Sequence, residues 1–246
     1  MTGPDWLTAR PVAHRGLHDA ARGVIENTPS SVTAAIAAGY GIEVDLQITA
    51  DGEAMVHHDE ALGRLTEGDG RLDAMTAAAL RRVPFKATTD RMISLGELCD
   101  LVAGRAVLLL ELKSRYDGDR RLPLRAAEVL KSYAGPAAAM SFDPAQVAVV
   151  KQAAPRLLRG LVAERRYPPG QRDRASLHGR VSYLRCVLAS RPQFLAYSVR
   201  DLPASLPLVA RYAAGLPLLT WTVRNDEDRR KAARWADQMI FEGFRP

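Results

Sequence analysis

Residues Ile42–Leu62 read IEVDLQITADGEAMVHHDEAL. Two acids two residues apart interrupt an apolar run. A turn follows, then a second short apolar run that ends at two histidines and an aspartate. Side chains two apart on a strand face the same way, so Glu43 and Asp45 point together with Val44 opposite. Acids on a buried strand are costly unless something neutralises them. Thr49-Ala50-Asp51-Gly52 reads as a tight turn, and a strand that follows such a turn runs antiparallel to its predecessor. Ala54–His57 is therefore expected to be the return arm of a β-hairpin rising above the strand, carrying His58 back to the level of the two acids.

Outward from this stretch, short apolar runs alternate with amphipathic segments. Strands are expected at Pro11–His14, Gly41–Gln47, Ala106–Leu112, Ala137–Ser141, Leu158–Ala163, Gln193–Tyr197, Leu216–Thr222 and Gln238–Glu242. Helices are expected near Thr28–Ala38, Arg120–Tyr133, Pro144–Ala153, Gly179–Leu188, Pro203–Ala213 and Asp226–Trp235, with further helical pieces near Asp73–Arg82 and Leu95–Ala103. Tyr167–Arg174 reads as a loop. Strands alternating with helices imply parallel β-α units. Eight such strands in 246 residues point to an α/β fold, a (β/α)8 TIM barrel with a β-hairpin extension after the second barrel strand, forming one domain over residues 1–246. A doubly wound open sheet is the runner-up. The chain stops just after the last strand, so an eighth outer helix is expected to be missing or replaced by the N-terminal segment.

Hydrophobic residues make up 47% and charged residues 25%, ordinary for a globular protein. There is no run of 18 apolar residues, so no stable membrane insertion is expected. The few residues before the first strand leave no room for a signal peptide, which makes a cytoplasmic location the expectation. Cys99 and Cys186 lack metal-ligand spacing and read as reduced, buried thiols. The formal charge of +6 comes from scattered arginines rather than an aromatic-studded basic stripe, so nucleic acid is not an expected partner.

Glu111 and Lys113 repeat the two-apart device after Val107-Leu108-Leu109-Leu110. Three carboxylates from neighbouring strands make a site for a hard cation such as Mg²⁺ or Ca²⁺. The alternative is that each acid pairs with a nearby Arg or Lys. His14 ends the first strand beside this pair. Arg15 offers a planar fork for phosphate, and Gly16 permits close backbone approach.

The motifs AHRG at Ala13–Gly16, ENTPSS at Glu26–Ser31, IEVDLQIT with the following DG up to Gly52, and HHDEALGRLT at His57–Thr66 resemble the glycerophosphodiester phosphodiesterase family. LLLELKS at Leu108–Ser114, SFDP at Ser141–Pro144 and LLTWTVRN at Leu218–Asn225 continue the resemblance in order over nearly the whole chain. The resemblance implies a TIM barrel with its site at the C-terminal ends of the strands. It implies one divalent cation held at Glu43, Asp45 and Glu111, and catalytic histidines at His14 and His58. His58 is the match because it directly precedes the aspartate, and His57 faces the other way, exposed or packed. Arg15 and Lys113 match phosphate-contacting positions, and Trp221 matches a tryptophan near the pocket. Glu26 matches an acid beside the metal or one step behind it. Phe142 lines the pocket or packs in the core.

Two departures stand out. Where the family usually ends in Thr-Asp, this chain has Phe241-Glu242, which keeps an acid and loses a hydroxyl. The stretch Arg64–Arg91 is short where the family often covers the alcohol end of its substrate. The implied activity is metal-dependent hydrolysis of small-molecule glycerophosphodiesters to glycerol 3-phosphate and an alcohol. A lysophospholipase D-like or otherwise specialised diesterase is the alternative, favoured if the Pro84–Met92 loop presents an apolar rim. A non-catalytic phosphate-binding barrel and an unrelated metal hydrolase stand behind these. The oligomeric state is not legible.

Overall fold

A computed structural model of the protein describes residues 4–165 and 187–246. Strands Val12–Ala13 (β1), Gly41–Ile48 (β2), Ala54–Val56 (β3), Leu108–Leu112 (β4), Ala137–Ser141 (β5), Leu158–Ala163 (β6), Phe194–Ser198 (β7), Leu218–Val223 (β8) and Gln238–Phe241 (β9) form one sheet. All pairings are parallel except β2 with β3, where Leu46 faces Val56 and Ile48 faces Ala54. β1 pairs with both β2 and β9, so the eight parallel strands close into a barrel in the order β1-β2-β4-β5-β6-β7-β8-β9. Helices Pro29–Ala37 (α1), Ala77–Leu80 (α2), Leu95–Val102 (α3), Arg121–Leu130 (α4), Pro144–Ala153 (α5), Ser205–Ala214 (α6) and Asp226–Trp235 (α7) lie between the strands. The fold is a TIM barrel.

The local sequence explains these elements. Barrel strands are covered on both faces, which is why β4 reads as an unbroken apolar run up to its one acid. Pro29 and Pro144 open helices, where their missing N–H is no loss. Thr28 and Ser94 close capping boxes at α1 and α3. The expected helix over Asp73–Arg82 is instead broken. Leu72–Ala74 is a 3₁₀ turn, and α2 starts anew where the Thr76 side chain accepts from the Ala79 N–H. A threonine in mid-segment competes as a cap and divides the helix.

The barrel interior packs Leu7, Val12, Leu109, Ala138, Phe194 and Leu219. Leu7 comes from a 3₁₀ turn at Asp5–Leu7, so this N-terminal segment helps fill the barrel. Gly160 on β6 gives the Phe194 ring its room, because a Cβ there would stand 2.3 Å from two ring carbons. A smaller cluster gathers Ile25, Met55, Leu72, Leu80, Phe85 and Met92. Phe85 and Met92 are therefore buried, and the Pro84–Met92 loop does not turn its large apolar side chains outward as a rim. Cys99 is a free, buried thiol, and its burial pushes it up to about 11. Cys186, the Tyr167–Arg174 loop and the expected helix from Gly179 up to residue 186 lie outside the described residues. Residues 187–190 are helical. Among the described residues no helix is long and apolar enough to cross a membrane.

Gly160→Ala should destabilise the fold by roughly 1–3 kcal/mol, the usual result of overpacking a filled interior. Thermal melts of Gly160→Ala and of Gly160→Ala combined with Phe194→Leu check this. The smaller partner should recover part of the loss, and an unshifted single variant would contradict the packing described.

Candidate active site

The register of β2 against β4 sets Asp45 opposite Glu111. With period-two alternation, Glu43, Asp45 and Glu111 share the inner face. One oxygen from each lies within 4.8 Å of the others, and all three side chains are buried. Asp45 is surrounded by donors. Its Oδ2 accepts from Asn27 Nδ2 at 2.8 Å and lies 3.2 Å from Arg15 Nε, off the hydrogen-bond direction, while Oδ1 lies 2.8 Å from Lys113 Nζ. Burial pushes this carboxyl upward, but Lys113 and Arg15 outweigh it and hold Asp45 far below the usual carboxylate range. Lys113 also donates to Glu111 at 2.6 Å. Burial works to lower Lys113, yet the Asp45 and Glu111 carboxylates keep its ammonium above the usual lysine range.

Glu43 is placed differently. Its Oε2 accepts from the Arg15 backbone N–H at 3.0 Å, and its Oε1 is buried without a partner. Burial first, then Asp45 and Glu111, raise this carboxyl well above its ordinary value. The set consists of hard oxygen donors, close together, with one unmet oxygen and more negative charge than the nearby cations settle at Glu43. It fits a divalent cation, and these three residues would hold it.

His14 and Arg15 leave β1 through a turn in which Arg15 (φ 56°) and Gly16 (φ 78°) take left-handed conformations. A Cβ on Gly16 would stand 2.8 Å from the Ser31 carbonyl carbon, so glycine lets this turn lie against the start of α1. His14 Nδ1 is 2.8 Å from Glu242 Oε2, and its Nε2 reaches to 3.9 Å from Glu43 Oε2. His58 Nδ1 is 2.8 Å from Asp59 Oδ1. The bond to His14 holds Glu242 down to about 2 against the effect of burial. Burial raises Asp59, but its bonds from Arg64 and His58 bring it below the usual range. An ionised carboxylate can only accept, so each Nδ1 carries the proton and each Nε2 is left for exchange.

Alternating charges tie these groups together. Arg64 donates to Asp59 Oδ2 at 2.6 Å and to Glu26 Oε1 at 2.7 Å. Glu26 Oε1 also accepts from Arg15 Nη1 at 2.7 Å. Glu26 thus sits behind Arg15 rather than in the acidic cluster. His14, Arg15, Glu43, His58, Glu111 and Lys113 all line one cavity of about 350 Å³. Phe142 and Trp221 line it as well, in edge contact at 5.4 Å, and the Trp221 indole donates to the Ala196 carbonyl at 3.1 Å. Phe241 points the other way. It packs at 4.9 Å from Tyr40, so the lost Thr-Asp hydroxyl position lies in the outer core while Glu242 faces His14. His57 is buried and its Nδ1 has no partner.

The geometry brings His14, Arg15, Glu43, Asp45, His58, Glu111, Lys113, Phe142, Trp221 and Glu242 together, leaves Glu26 behind Arg15, and adds Asn27, Asp59, Arg64 and Arg224. Arg224 donates to Glu242 at 3.0 Å. Asn27 (φ 57°) bonds Asp45 through both ends of its amide. A signal for these existed in their place. Asn27 and Asp59 sit inside quoted motifs, and Arg64 follows five residues after Asp59.

Fold and site define a (β/α)8 barrel with a buried cluster of three carboxylates that could hold a cation, and two carboxylate-held histidines, at the C-terminal ends of its strands. The chain belongs to the Glycerophosphoryl diester phosphodiesterase family, whose model matches residues 14–244. It is 30% identical over 162 residues to the glycerophosphodiester phosphodiesterase of Caldanaerobacter subterraneus subsp. tengcongensis, an alignment that spans 61% of this chain and 65% of that protein. It is 27% identical over 266 residues to the glycerophosphodiester phosphodiesterase of Bacillus subtilis, covering 99% of this chain and 86% of the relative. Among solved structures, a Silicibacter pomeroyi protein described as a putative glycerophosphoryl diester phosphodiesterase matches with TM-score 0.75 at 27% identity, over 94% of this chain and 89% of that one. An Oleispira antarctica phosphodiesterase, solved with the product sn-glycerol-3-phosphate, matches with TM-score 0.76 over 96% of this chain and 94% of that one. At 22% identity, this last likeness concerns the fold.

The depressed Glu242 carboxyl makes a pH prediction. A folded-state value of about 2 against an ordinary 4.5 means its stabilising bond is fully present above about pH 4.5 and is lost as pH falls toward 2. The difference in melting temperature between the protein and Glu242→Gln should shrink over that window. A gap that stays constant would contradict the pairing with His14.

Proposed function

We propose that the chain hydrolyses glycerophosphodiesters to glycerol 3-phosphate and an alcohol, aided by Mg²⁺ or Ca²⁺ held at Glu43, Asp45 and Glu111. The observation that carries this reading is the convergence of that acidic cluster and two carboxylate-held histidines on one cavity. Family membership supports it, as do the activities named for the relatives.

A divalent cation bound at the cluster supplies charge neutralisation for a phosphodiester's non-bridging oxygens. The rest falls to the chain's own residues. Arg15 and Lys113 are fixed cations at the cavity wall and draw the diester in. His14 and His58 face the cavity with Nδ1–H tied back, so the ring that enters neutral accepts the nucleophile's proton at Nε2, while the other enters as imidazolium and gives its Nε2 proton to the departing alkoxide. Glu242 and Asp59 keep both rings in the required tautomer and stabilise the imidazolium when it forms. The Phe142–Trp221 pair gives the substrate an apolar wall.

A lysophospholipid substrate finds no support in the Pro84–Met92 loop, whose large apolar residues are buried. A barrel that only binds phosphate does not require two histidines locked as donors and acceptors.

Glycerol 3-phosphate release from glycerophosphocholine, glycerophosphoethanolamine and glycerophosphoglycerol is the test. His14→Ala and His58→Ala should each lower turnover by roughly 10²–10⁴-fold, and EDTA should suppress release. Glu43→Gln should raise the metal concentration needed for half activation. Full turnover in either histidine variant would overturn the two-histidine scheme.

A further inference from the structure

The ring of barrel strands has a useful symmetry. Counting from β2 in either direction, β7 is the fourth neighbour. The strand end that carries Glu43 and Asp45 therefore faces the end of β7 across the mouth of the barrel. Past that end, a 3₁₀ turn at Val199–Asp201 presents Arg200 to the same cavity.

Arg200 differs from every other cation of the cavity. Arg15 and Lys113 are tied to the acids of the site, and Arg224 is tied to Glu242. Among the described residues Arg200 has no ion-pair, hydrogen-bond or ring partner. The adjacent Asp201 turns its Oδ2 to the Arg165 backbone N–H at 2.8 Å. The nearby acid of the cavity, Glu164 beyond β6, is itself engaged. An exposed guanidinium on a cavity wall with no ion-pair partner among the described residues is free to meet an anion brought by the ligand, and its planar fork matches carboxylate or phosphate.

The diester bound at the acidic cluster already uses the near-side cations. A substituent that extends across the mouth meets Arg200. Resting on the reaction proposed above, we propose that this enzyme selects diesters whose alcohol carries its own negative charge, a second phosphate or a carboxylate, and that Arg200 is the selecting residue. A cationic alcohol would meet Arg200 as a like charge and gain nothing from it. The Phe142–Trp221 pair makes one edge-on wall rather than a cage that would enclose an ammonium group.

The test compares glycerophosphoinositol 4-phosphate with glycerophosphoinositol, which differ by one phosphate, and adds glycerophosphocholine. The kcat/KM ratio of the phosphorylated to the unphosphorylated diester should be roughly tenfold or more, as expected for a charge-assisted contact. Arg200→Gln should bring the ratio close to one, Arg200→Glu should invert it, and Arg200→Lys should keep part of it. The ratio is taken within one preparation, so a change in folded fraction does not alter it. The wild-type advantage should also decline as salt is raised. A wild-type ratio near one, or a ratio that survives Arg200→Gln, overturns the inference and leaves the reaction standing. Absence of glycerol 3-phosphate from all three diesters overturns the reaction and this inference with it.

Discussion

The Asp45 carboxylate is the point on which the site turns. A carboxylate with 1% of its surface exposed stays ionised only because Lys113, Arg15 and Asn27 converge on its two oxygens. Each of those partners comes from a different segment: the turn after β1, the approach to α1, and the end of β4. Satisfying one charge therefore fixes how three loops sit at the barrel mouth. Glu43 is left with a buried oxygen that has no partner and a carboxyl raised by burial and by Asp45 and Glu111, a strain that a cation at the cluster would relieve. A lone buried acid would be met by one base, whereas here the acids outnumber the bases that reach Glu43.

The histidines inherit their order from the same economy of charge. Each is held at Nδ1 by a carboxylate that also receives an arginine: Arg224 for Glu242, Arg64 for Asp59. Arg64 then joins Glu26 and, through it, Arg15 and Asp45. From His58 to the acidic cluster the path is an unbroken alternation of anions and cations. Rotating any one ring or fork would leave a neighbouring charge without its partner, which constrains the rotamers.

Much of this was legible in the sequence because it depends on periods and spacings. Glu43 and Asp45 had to share a face, Thr49–Gly52 had to turn the chain back, and Glu111 and Lys113 had to lie together. The strands β5 and β6 fall at the residues expected. What the sequence could not supply was long-range pairing. Nothing local states that Glu242 meets His14 across the closure of the barrel, or that Arg64 reaches Glu26. The division of the Asp73–Arg82 helix turned on whether Thr76 capped or continued it, a choice made by tertiary contacts. The Pro84–Met92 loop looked able to expose its apolar residues, and whether it did depended on a small cluster assembled from Ile25, Met55 and Leu72.

The hairpin has a further consequence for how such a barrel can change. β3 is joined to β2 by a tight turn, so the strand that bears Glu43 and Asp45 also carries His58, Asp59 and Arg64 on its own extension. With β1 and the approach to α1, the first 64 residues supply both histidines, two of the three clustered acids and the guanidinium chain that orders His58, while His14 takes its carboxylate from Glu242 after β9 and that carboxylate its arginine from Arg224 after β8. β4 completes the set. The opposite arc, from β5 to β7, lines the cavity without contributing to either histidine's support. The ordered side runs from the segment after β8 round to β4, and the loops of β5 to β7 lie outside it. Exchanging the far-arc loops between two such barrels would be a way to move substrate preference while leaving the ordered side in place.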